Sequence, residues 1–408
     1  MDLLRSSATR IPTTQPHLNF LTPLRRRFAG VRSSLNLPFT EEKAEYFKQL
    51  EAATDVVQRA CRLCIDVKKS LFSNDGSILK KNDQTPVTIA DFGVQALVSL
   101  EMSKLFPSIP LVAEEDSMFL HANNLVDAVV DVVTDRATLR DKLTQDDVLE
   151  AIDRGGKDAY VFGPKPATYW VLDPIDGTRG FVKGSEALYV VGLALVVNEE
   201  IVLGVMGCPN WQENQPFQAD ENTVSMSGTI MISHKGCGTW RKKLWDRINI
   251  IGELLHDSWT RCFVDDCQLV HKARFCIPDS QTWESLPLSL LYNATTQAEN
   301  VGDKEILLLP ACCGSLCKYL MVASGRASVF IQGEKAGKIV KAWDHAVGII
   351  CVHEAGGKVT DWRGTELDFT ADQVERRIIY PSGGILVTNN ILHGAIVGII
   401  SSGSSVCL

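Results

Sequence analysis

The stretch Trp170-Val-Leu-Asp173-Pro-Ile-Asp176-Gly-Thr178 carries the clearest structural signal in this sequence. Its apolar start predicts a buried strand, its proline and glycine favour a turn, and its threonine favours a helix start. Asp173 and Asp176 are then expected to meet at the carboxyl end of a strand, beside a helix N-terminus whose free amides suit a phosphate. Because two such carboxylates repel each other, a cation between them is expected.

The oxygen atoms that this stretch offers indicate which cation that is. Two carboxylates and the backbone carbonyl of Ile175 form a set of hard oxygen ligands, which Mg²⁺ prefers in near-octahedral geometry. As a ligand in a loop, Asp176 is expected to be exposed and to contribute little to the core. The plain alternative is that both acids only form a surface turn, since Asp-Gly is common in turns.

Two further acidic junctions favour the metal interpretation. Val112-Ala-Glu114-Glu115-Asp116 places acids directly after a short apolar strand, and Lys341-Ala-Trp343-Asp344-His345 opens a helical pattern. Taken alone, the first could be an acidic loop and the second an N-terminal helix cap. Three such junctions in one chain favour a single cage for divalent cations.

The composition excludes several classes of protein. The chain has 408 residues, 45% of them hydrophobic and 22% charged, which is enough for two packed lobes. The net charge of -8 argues against binding a nucleic-acid polymer and leaves a small-molecule partner as the expectation. No apolar run approaches the roughly 20 residues that span a bilayer, so no membrane association is expected.

The cysteines give no repeated pattern of zinc ligands. Cys61 and Cys64 form a single pair inside a helical pattern, and buried reduced thiols are the expectation for the 12 cysteines. A redox role for the group Cys312, Cys313 and Cys317 is left open.

The first forty residues differ from the rest. They contain several arginines, many Ser and Thr residues, no lysine and one acid, Asp2. This composition predicts an organelle transit peptide over residues 1–38, with a disordered basic tail as the alternative. The step Arg26-Arg27-Phe28-Ala29 favours the mitochondrion over the chloroplast.

Hydrophobic periodicity predicts a mixed α/β chain with two lobes, residues 39–220 and residues 221–408. The N-terminal lobe is expected to be α+β and to carry the metal-binding loops, and the C-terminal lobe is expected to be α/β and to carry substrate-binding residues. Helices are predicted over 44–71, 89–105, 314–324 and 344–355, with a helical stretch over 120–165. Strands are predicted over 111–113, 169–172, 188–205, 306–309 and 327–331. Residues 210–300 give no clear pattern.

The motifs above resemble those of the inositol-monophosphatase-type phosphatase superfamily. Its signatures are an Asp-Pro-Ile/Leu-Asp-Gly-Thr block and a late Trp-Asp block that runs on to Glu-Ala-Gly-Gly, which here is Trp343-Asp344 through Glu354-Ala-Gly-Gly. The resemblance extends from about residue 42 to 395. It implies a layered αβαβα fold of the sugar-phosphatase type and a magnesium-dependent phosphatase with two to three Mg²⁺ ions.

Within that superfamily the chain is similar to the 3'(2'),5'-bisphosphate nucleotidases, of the plant organellar type. The similarity rests on Thr85-Pro-Val-Thr-Ile-Ala-Asp91, on Gly180-Phe-Val-Lys-Gly184, on Gly204-Val-Met-Gly-Cys-Pro-Asn210 and on the helical insert before Asp173. It implies hydrolysis of the 3'-phosphate of adenosine 3',5'-bisphosphate to AMP and phosphate.

The resemblance also implies roles for individual residues. The implied metal ligands are Glu114, Asp173, the Ile175 carbonyl, Asp176 and Asp344. Asp91 and Thr178 are the implied catalytic pair that activates water. The implied substrate-binding residues are Gly177, Thr178, Ser315, Lys318 and Asp344, with Lys318 expected to pair with the second phosphate.

The chain departs from the nucleotidase pattern in two places. Residues 292–303 contain no histidine where a Ser/His-rich substrate segment is expected. Lys338 or Lys341 stands where an arginine is expected before the Trp-Asp block, and lysine lacks the forked geometry of arginine. Two alternatives therefore remain: a phosphatase acting on inositol monophosphate or another small phosphate ester, and a catalytically weak sensor of phosphoadenosine nucleotides.

Overall fold

The secondary structure of this protein is described by a computed structural model for residues 36–73, 79–80, 86–137, 143–183, 187–212, 228–245, 247–248, 254–255, 258–287, 307–309, 314–335 and 337–404. The helices in these ranges are α1 (Phe47–Ser73), α2 (Ile89–Leu105), α3 (Met118–Asn123), α4 (Val126–Thr134), α5 (Gln145–Gly155), α6 (Thr178–Lys183), α7 (Leu316–Ala323), α8 (Ala346–Glu354) and α9 (His393–Ser404).

The strands in these ranges form two main sheets and three short ribbons. They are β1 (Leu79–Lys80), β2 (Pro86–Val87), β3 (Leu111–Ala113), β4 (Thr168–Asp176), β5 (Val190–Val197), β6 (Glu200–Cys208), β7 (Thr229–His234), β8 (Gly238–Lys243), β9 (Arg247–Ile248), β10 (Leu254–Leu255), β11 (Thr260–Arg261), β12 (Arg274–Cys276), β13 (Leu307–Leu308), β14 (Val329–Gly333), β15 (Val340–Lys341), β16 (Gly357–Asp361), β17 (Ile378–Ile379) and β18 (Gly384–Asn389).

The larger sheet has seven strands in the order β11-β8-β7-β6-β5-β4-β3. Its neighbours pair antiparallel except β3 and β4, which are parallel. Both faces are covered, so β5 is apolar along its whole length: Leu193 and Leu195 pack towards α1 and α2, whereas Ala194 and Val196 pack towards α7 and α8. The unbroken apolar run of β5 in the sequence therefore reflects the burial of both faces of this strand.

The smaller sheet has five strands in the order β13-β12-β14-β18-β16. Phe330 and Val387 on one face join the core that contains α7 and α8, whereas Ile331 and Leu386 on the other face pack against α9. The layers are thus α1 and α2, the seven-stranded sheet, α7 and α8, the five-stranded sheet, and α9. The expected layered αβαβα fold is confirmed.

The charge-rich stretch before β4 forms a separate helical layer against α2. Phe92 of α2 is fully buried among Leu120, Val129 and Ile152, which come from α3, α4 and α5. Capping boxes fix the starts of α2 and α5, through Thr88 with Asp91 and through Thr144 with Asp147. The predicted helical stretch over 120–165 is therefore three short helices.

Two features of the sheets were not predicted from the sequence. Strand β4 continues to Asp176 instead of ending near 172, and β7, β8, β11 and β12 lie in the range that gave no pattern. Polar residues in β7 hide its hydrophobic pattern in the sequence. Ser233 can nevertheless be buried there, because its hydroxyl donates to the Ile350 carbonyl at 3.1 Å. Strand β6 precedes the predicted lobe boundary at residue 220 and β7 follows it, yet the two strands pair in one sheet. The division into two lobes at that position stays a prediction.

No disulfide joins the cysteines in the described part of the chain. Cys61 and Cys64 are buried in α1, and burial raises the pKa of both thiols. Burial also raises the pKa of Cys317 to about 11, which keeps that thiol protonated near neutral pH. Cys312, Cys313 and residues 1–35 of the predicted leader lie outside the described residues. Among the described helices none is both long and apolar enough to cross a bilayer.

Candidate active site

Strand β4 carries two acids at its carboxyl end, Asp173 and Asp176. Its pairing with β5 is irregular between Asp173 and Asp176, as at a β-bulge, a feature that redirects side chains. Asp173 is 1% exposed and Asp176 is 5% exposed. The expectation that Asp176 is an exposed loop residue is wrong, because β4 runs on to this position and α7 covers it.

The structure brings a third acid from a distant part of the chain to this pair. Asp344 lies just before α8, and one carboxylate oxygen from each of Asp173, Asp176 and Asp344 lies within 4.8 Å of the other two. Two of the three residues come from the end of β4, and the third comes from the segment just before α8. This convergence is the central feature of the site.

Burial and mutual repulsion make these carboxylates hard to ionise. Burial is the largest cause that raises the pKa of Asp173 and of Asp344 well above the usual range, and the neighbouring acids add to it. The pKa of Asp176 rises to about 6, mainly through burial, while the amides of Ser315 and Leu316 and the ammonium of Lys318 oppose the rise. A cation among the three would relieve all of these effects.

The donor set fits a hard divalent cation. Oδ1 of Asp173 is buried and has no hydrogen-bond partner within the described ranges, so it is free to serve as a ligand. Glu114 follows β3 and is not among the three acids within 4.8 Å, but its charge contributes to the raised pKa of each of them. Carboxylate oxygens with an unsatisfied, buried lone pair are the ligands that Mg²⁺ takes.

Asp176 also organises the start of α7. Its Oδ1 accepts the N–H of Ser315 at 2.8 Å and its Oδ2 accepts the N–H of Leu316 at 2.7 Å. Lys318 is 2% exposed, and its Nζ donates to the Gly314 carbonyl at 2.6 Å. The structure therefore brings the predicted substrate residues Ser315 and Lys318 to the acidic cluster.

Gly314 is a supporting residue that the sequence did not reveal. Its φ is +63°, and a Cβ atom there would lie 2.2 Å from Oδ2 of Asp176. Only glycine leaves room for the carboxylate against the backbone here. Its position as the first residue of the predicted helix over 314–324 was the available signal, but the sequence alone does not say what that glycine faces.

The predicted pair of Asp91 and Thr178 is in hydrogen-bond contact. The hydroxyl of Thr178 lies 3.1 Å from Oδ1 of Asp91 and 3.0 Å from the carbonyl of Ile175. Oδ2 of Asp91 accepts the N–H and the hydroxyl of Thr88, both at 2.8 Å. Gly177 has a φ of +87° in the turn that presents Thr178. Thr88 thus holds one carboxylate oxygen of the buried Asp91, and the other oxygen accepts a hydrogen bond from Thr178.

The two lysines that stand where an arginine was expected, Lys338 and Lys341, have different surroundings. Lys341 lies over the ring of Trp343 at 5.4 Å, next to Asp344, whereas Lys338 is exposed. The segment 292–303, where the substrate pattern departs, lies outside the described residues.

A buried acidic cluster with a threonine–aspartate pair, on a layered αβαβα fold, defines a metal-dependent phosphatase type of site. The chain belongs to the inositol monophosphatase family, whose sequence model matches residues 42–404. This match confirms the resemblance inferred from the motifs and covers the range expected for it.

Individual relatives are more specific. The chain is 65% identical over 384 residues to an Arabidopsis thaliana protein named as a mitochondrial 3'(2'),5'-bisphosphate nucleotidase, and the match covers 94% of each chain. It is 33% identical over 381 residues to a 3',5'-bisphosphate nucleotidase of the same plant, covering 86% of this chain and 95% of the relative. The resemblance to the bisphosphate nucleotidases is thereby confirmed.

Solved structures support the fold alone. The inositol monophosphatase of Thermotoga maritima matches with a TM-score of 0.52 at 18% identity, covering 88% of this chain and 98% of its own. The suhB protein of Bartonella henselae matches with a TM-score of 0.52 at 17% identity, covering 87% of this chain and 99% of its own. Both have the layered arrangement in common with this chain.

Proposed function

We propose that this protein is a Mg²⁺-dependent 3'(2'),5'-bisphosphate nucleotidase, which converts adenosine 3',5'-bisphosphate to AMP and phosphate. The observation that carries the proposal is the cluster of buried Asp173 and Asp176 with half-buried Asp344, beside the hydrogen-bonded pair of Thr178 and Asp91. The 65% identity to a relative named for this activity supports the choice of substrate.

In this proposal the metal ligands are Glu114, Asp173, the Ile175 carbonyl, Asp176 and Asp344, and they hold two to three Mg²⁺ ions. When bound, the ions would neutralise the phosphate charge and lower the pKa of water. The unpartnered Oδ1 of Asp173 and the raised pKa values of the three aspartates support this set, because each is relieved by a cation.

Thr178 and Asp91 are proposed to remove the proton from the attacking water. The water donates to the Thr178 hydroxyl, which in turn donates to Oδ1 of Asp91 over the 3.1 Å contact. The water oxygen forms a bond to phosphorus while the bond to the 3'-oxygen breaks, and that oxygen takes up a proton from solvent and leaves as the ribose hydroxyl. Thr88 keeps Asp91 in place by binding its other oxygen.

The substrate is proposed to contact Gly177, Thr178, Ser315, Lys318 and Asp344. The Lys318 ammonium lies beside the acidic cluster, where its charge lowers the pKa of Asp176. A second phosphate on the substrate would find a partner there, which favours a bisphosphate over a monophosphate. The acidic net charge and the buried site favour a small molecule over a nucleic-acid polymer.

A panel of phosphate esters tests the substrate. Purified protein with Mg²⁺ is incubated with adenosine 3',5'-bisphosphate, inositol 1-phosphate and 2'-AMP, and phosphate release is measured. We expect the highest kcat/KM on the bisphosphate. Preference for inositol 1-phosphate would favour the sugar-phosphatase alternative, and tight nucleotide binding without turnover would favour the sensor.

The mitochondrion is the proposed location, with residues 1–38 as a transit peptide. The arginine-rich leader and the relative that is named mitochondrial support this proposal. Fusing residues 1–38 to a fluorescent protein tests it in plant cells. Import into chloroplasts would replace the mitochondrial assignment, and a diffuse signal would remove the transit peptide.

A further inference from the structure

Arg377 is attached to the segment that carries Asp344. Its carbonyl accepts the N–H of Ala342 at 2.8 Å, and its guanidinium lies 6.0 Å from the ring centre of Trp343. Directly after it, β17 pairs with β15, so that Ile378 lies opposite Lys341. The backbone of Arg377 and its side chain thus both contact the residues just before Asp344.

The same side chain reaches the other end of the site. Nη2 of Arg377 donates to the carbonyl of Gly155 at 3.1 Å and to the carbonyl of Gly156. Gly156 in turn lies against Glu115, because a Cβ atom on Gly156 would be 2.0 Å from the Glu115 carbonyl oxygen. Glu115 is the neighbour of Glu114, so this contact leads to another proposed metal ligand.

The link on the Glu115 side is rigid. The side-chain amide of Gln95 binds Glu115 from both directions, accepting its N–H at 2.8 Å and donating to its carbonyl at 2.6 Å. The same amide also donates to the Ile152 carbonyl in α5 at 2.8 Å. Because Gln95 ties the Glu115 backbone to α5, a shift of the Gly155 and Gly156 carbonyls would also move the backbone next to Glu114.

We propose that Arg377 is a positioning residue that fixes the spacing of Glu114 and Asp344, which lie far apart in the sequence. The inference rests on the proposed function, in which both acids are metal ligands. Small cations such as Mg²⁺ require their ligands at short, closely defined distances. Nη2 of Arg377 holds two carbonyls while the planar guanidinium lies over Trp343 and the Arg377 carbonyl is bound by Ala342, and together these contacts set such a distance. A lysine ammonium lacks the plane that stacks on the ring, so it would not keep the same set of contacts.

Arg376 provides a matched comparison in the same loop. It is 1% exposed, and its guanidinium donates to the carbonyls of Thr370 at 2.6 Å and Gly163 at 3.0 Å. None of these partners belongs to the segments that hold Glu114 or Asp344. Arg376→Lys therefore removes a similar buried carbonyl contact without altering the spacing of the ligands.

The test measures Mn²⁺ binding to the purified full-length protein by electron paramagnetic resonance, without substrate. The Mg²⁺ concentration that gives half-maximal phosphate release is a second readout. Arg377→Lys is expected to weaken Mn²⁺ binding about tenfold, the low end for residues that orient metal ligands. Arg376→Lys is expected to lower the unfolding midpoint but to keep the wild-type Mn²⁺ affinity. Gly156→Ala tests the same link from its other end and is expected to weaken Mn²⁺ binding as well.

The outcomes separate the two proposals. Unchanged Mn²⁺ affinity in folded Arg377→Lys, or an equal loss in Arg376→Lys, overturns the positioning role while the nucleotidase proposal stands. If Arg377→Lys does not fold, unchanged affinity in Gly156→Ala overturns the positioning role. A wild-type protein that neither binds Mn²⁺ nor releases phosphate overturns the proposed function itself.

Discussion

The Thr178 hydroxyl and the Asp91 carboxylate lie 3.1 Å apart although 87 positions separate them in the sequence. Asp91 belongs to the first turn of α2, where its second oxygen completes a capping box with Thr88. Thr178 follows the turn after β4. The pair therefore joins the start of a helix to the end of a strand, and the cap leaves one carboxylate oxygen of Asp91 to act on the threonine.

Asp91→Asn is expected to reduce kcat by at least about 100-fold, the usual effect of removing a proton acceptor from a hydrolytic site. The amide still accepts a hydrogen bond from Thr178 but cannot take its proton. Mn²⁺ affinity should stay near the wild-type value, because Asp91 is not among the proposed ligands. Phosphate release and Mn²⁺ titration together check this expectation, and an unchanged kcat would remove Asp91 from the mechanism.

Asp147→Asn is the matched control for that variant. Asp147 forms the same capping box with Thr144 at the start of α5, with contacts of 2.8 and 2.7 Å. The substitution weakens a helix cap in the same way but lies outside the site. We expect turnover at the wild-type level, so a loss of activity there would attribute the Asp91 effect to capping.

Asp176→Asn is expected to abolish Mg²⁺-dependent turnover and the rise in Tm that Mg²⁺ produces in the wild type. One ligand is lost, and the amide NH₂ cannot accept the N–H that the second oxygen of Asp176 accepts from Leu316. The start of α7 should loosen in consequence. Thermal unfolding with and without Mg²⁺ measures both effects, and a preserved Mg²⁺-induced rise in Tm would contradict the assignment.

The contribution of Asp173, Asp176 and Asp344 to the stability of the metal-free protein is expected to fall as the pH rises from about 4 to 7. The pKa of Asp176 is about 6 in the folded state, above its ordinary value of 3.8, and burial raises the pKa of Asp173 and Asp344 as well. These three groups therefore bind more protons in the folded state than in the unfolded state over this range. For Asp176 alone the loss is on the order of 2 to 3 kcal/mol.

Urea unfolding in EDTA and in Mg²⁺ measures this effect at each pH. Bound Mg²⁺ should remove the decline, because a cation favours the ionised carboxylates. Asp176→Asn in EDTA should show a smaller decline than the wild type. Equal slopes in EDTA and Mg²⁺ would count against a cation among these acids.

Gly314→Ala is expected to lose metal binding and turnover, because its Cβ would lie 2.2 Å from Asp176. Gly337→Ala is the control, because Gly337 has a φ of +75°, close to the +63° of Gly314, but a Cβ atom there would have no neighbour within 4 Å among the described residues beyond those adjacent in the chain. Both substitutions strain the backbone by a similar amount, roughly 1 to 2 kcal/mol. Equal Mn²⁺ affinity in the two variants would show that contact with Asp176 does not matter.

Much of the fold followed from local patterns. The apolar run of β5 and the periodicity of α2 predicted elements that the structure contains, and the predicted helix over 89–105 matches Ile89–Leu105. The strands between 229 and 276 could not be predicted, because buried polar residues such as Ser233 and Thr239 take their partners from α8, far away in the sequence. Such contacts leave no periodic signal.

The sequence by itself determined the chemistry on offer: acids after β3, at the end of β4 and before α8, and a threonine set to start a helix. Local rules suffice for these, because strand ends and helix starts are encoded by neighbouring residues. Only the tertiary structure decided that one carboxylate oxygen each of Asp173, Asp176 and Asp344 lie within 4.8 Å of one another and that Asp176 is buried against α7. It also decided that Gly314 lies against Asp176 and that Arg377 contacts the segment before Asp344. Those facts depend on how layers distant in the sequence pack, and packing is set by all of the contacting residues together.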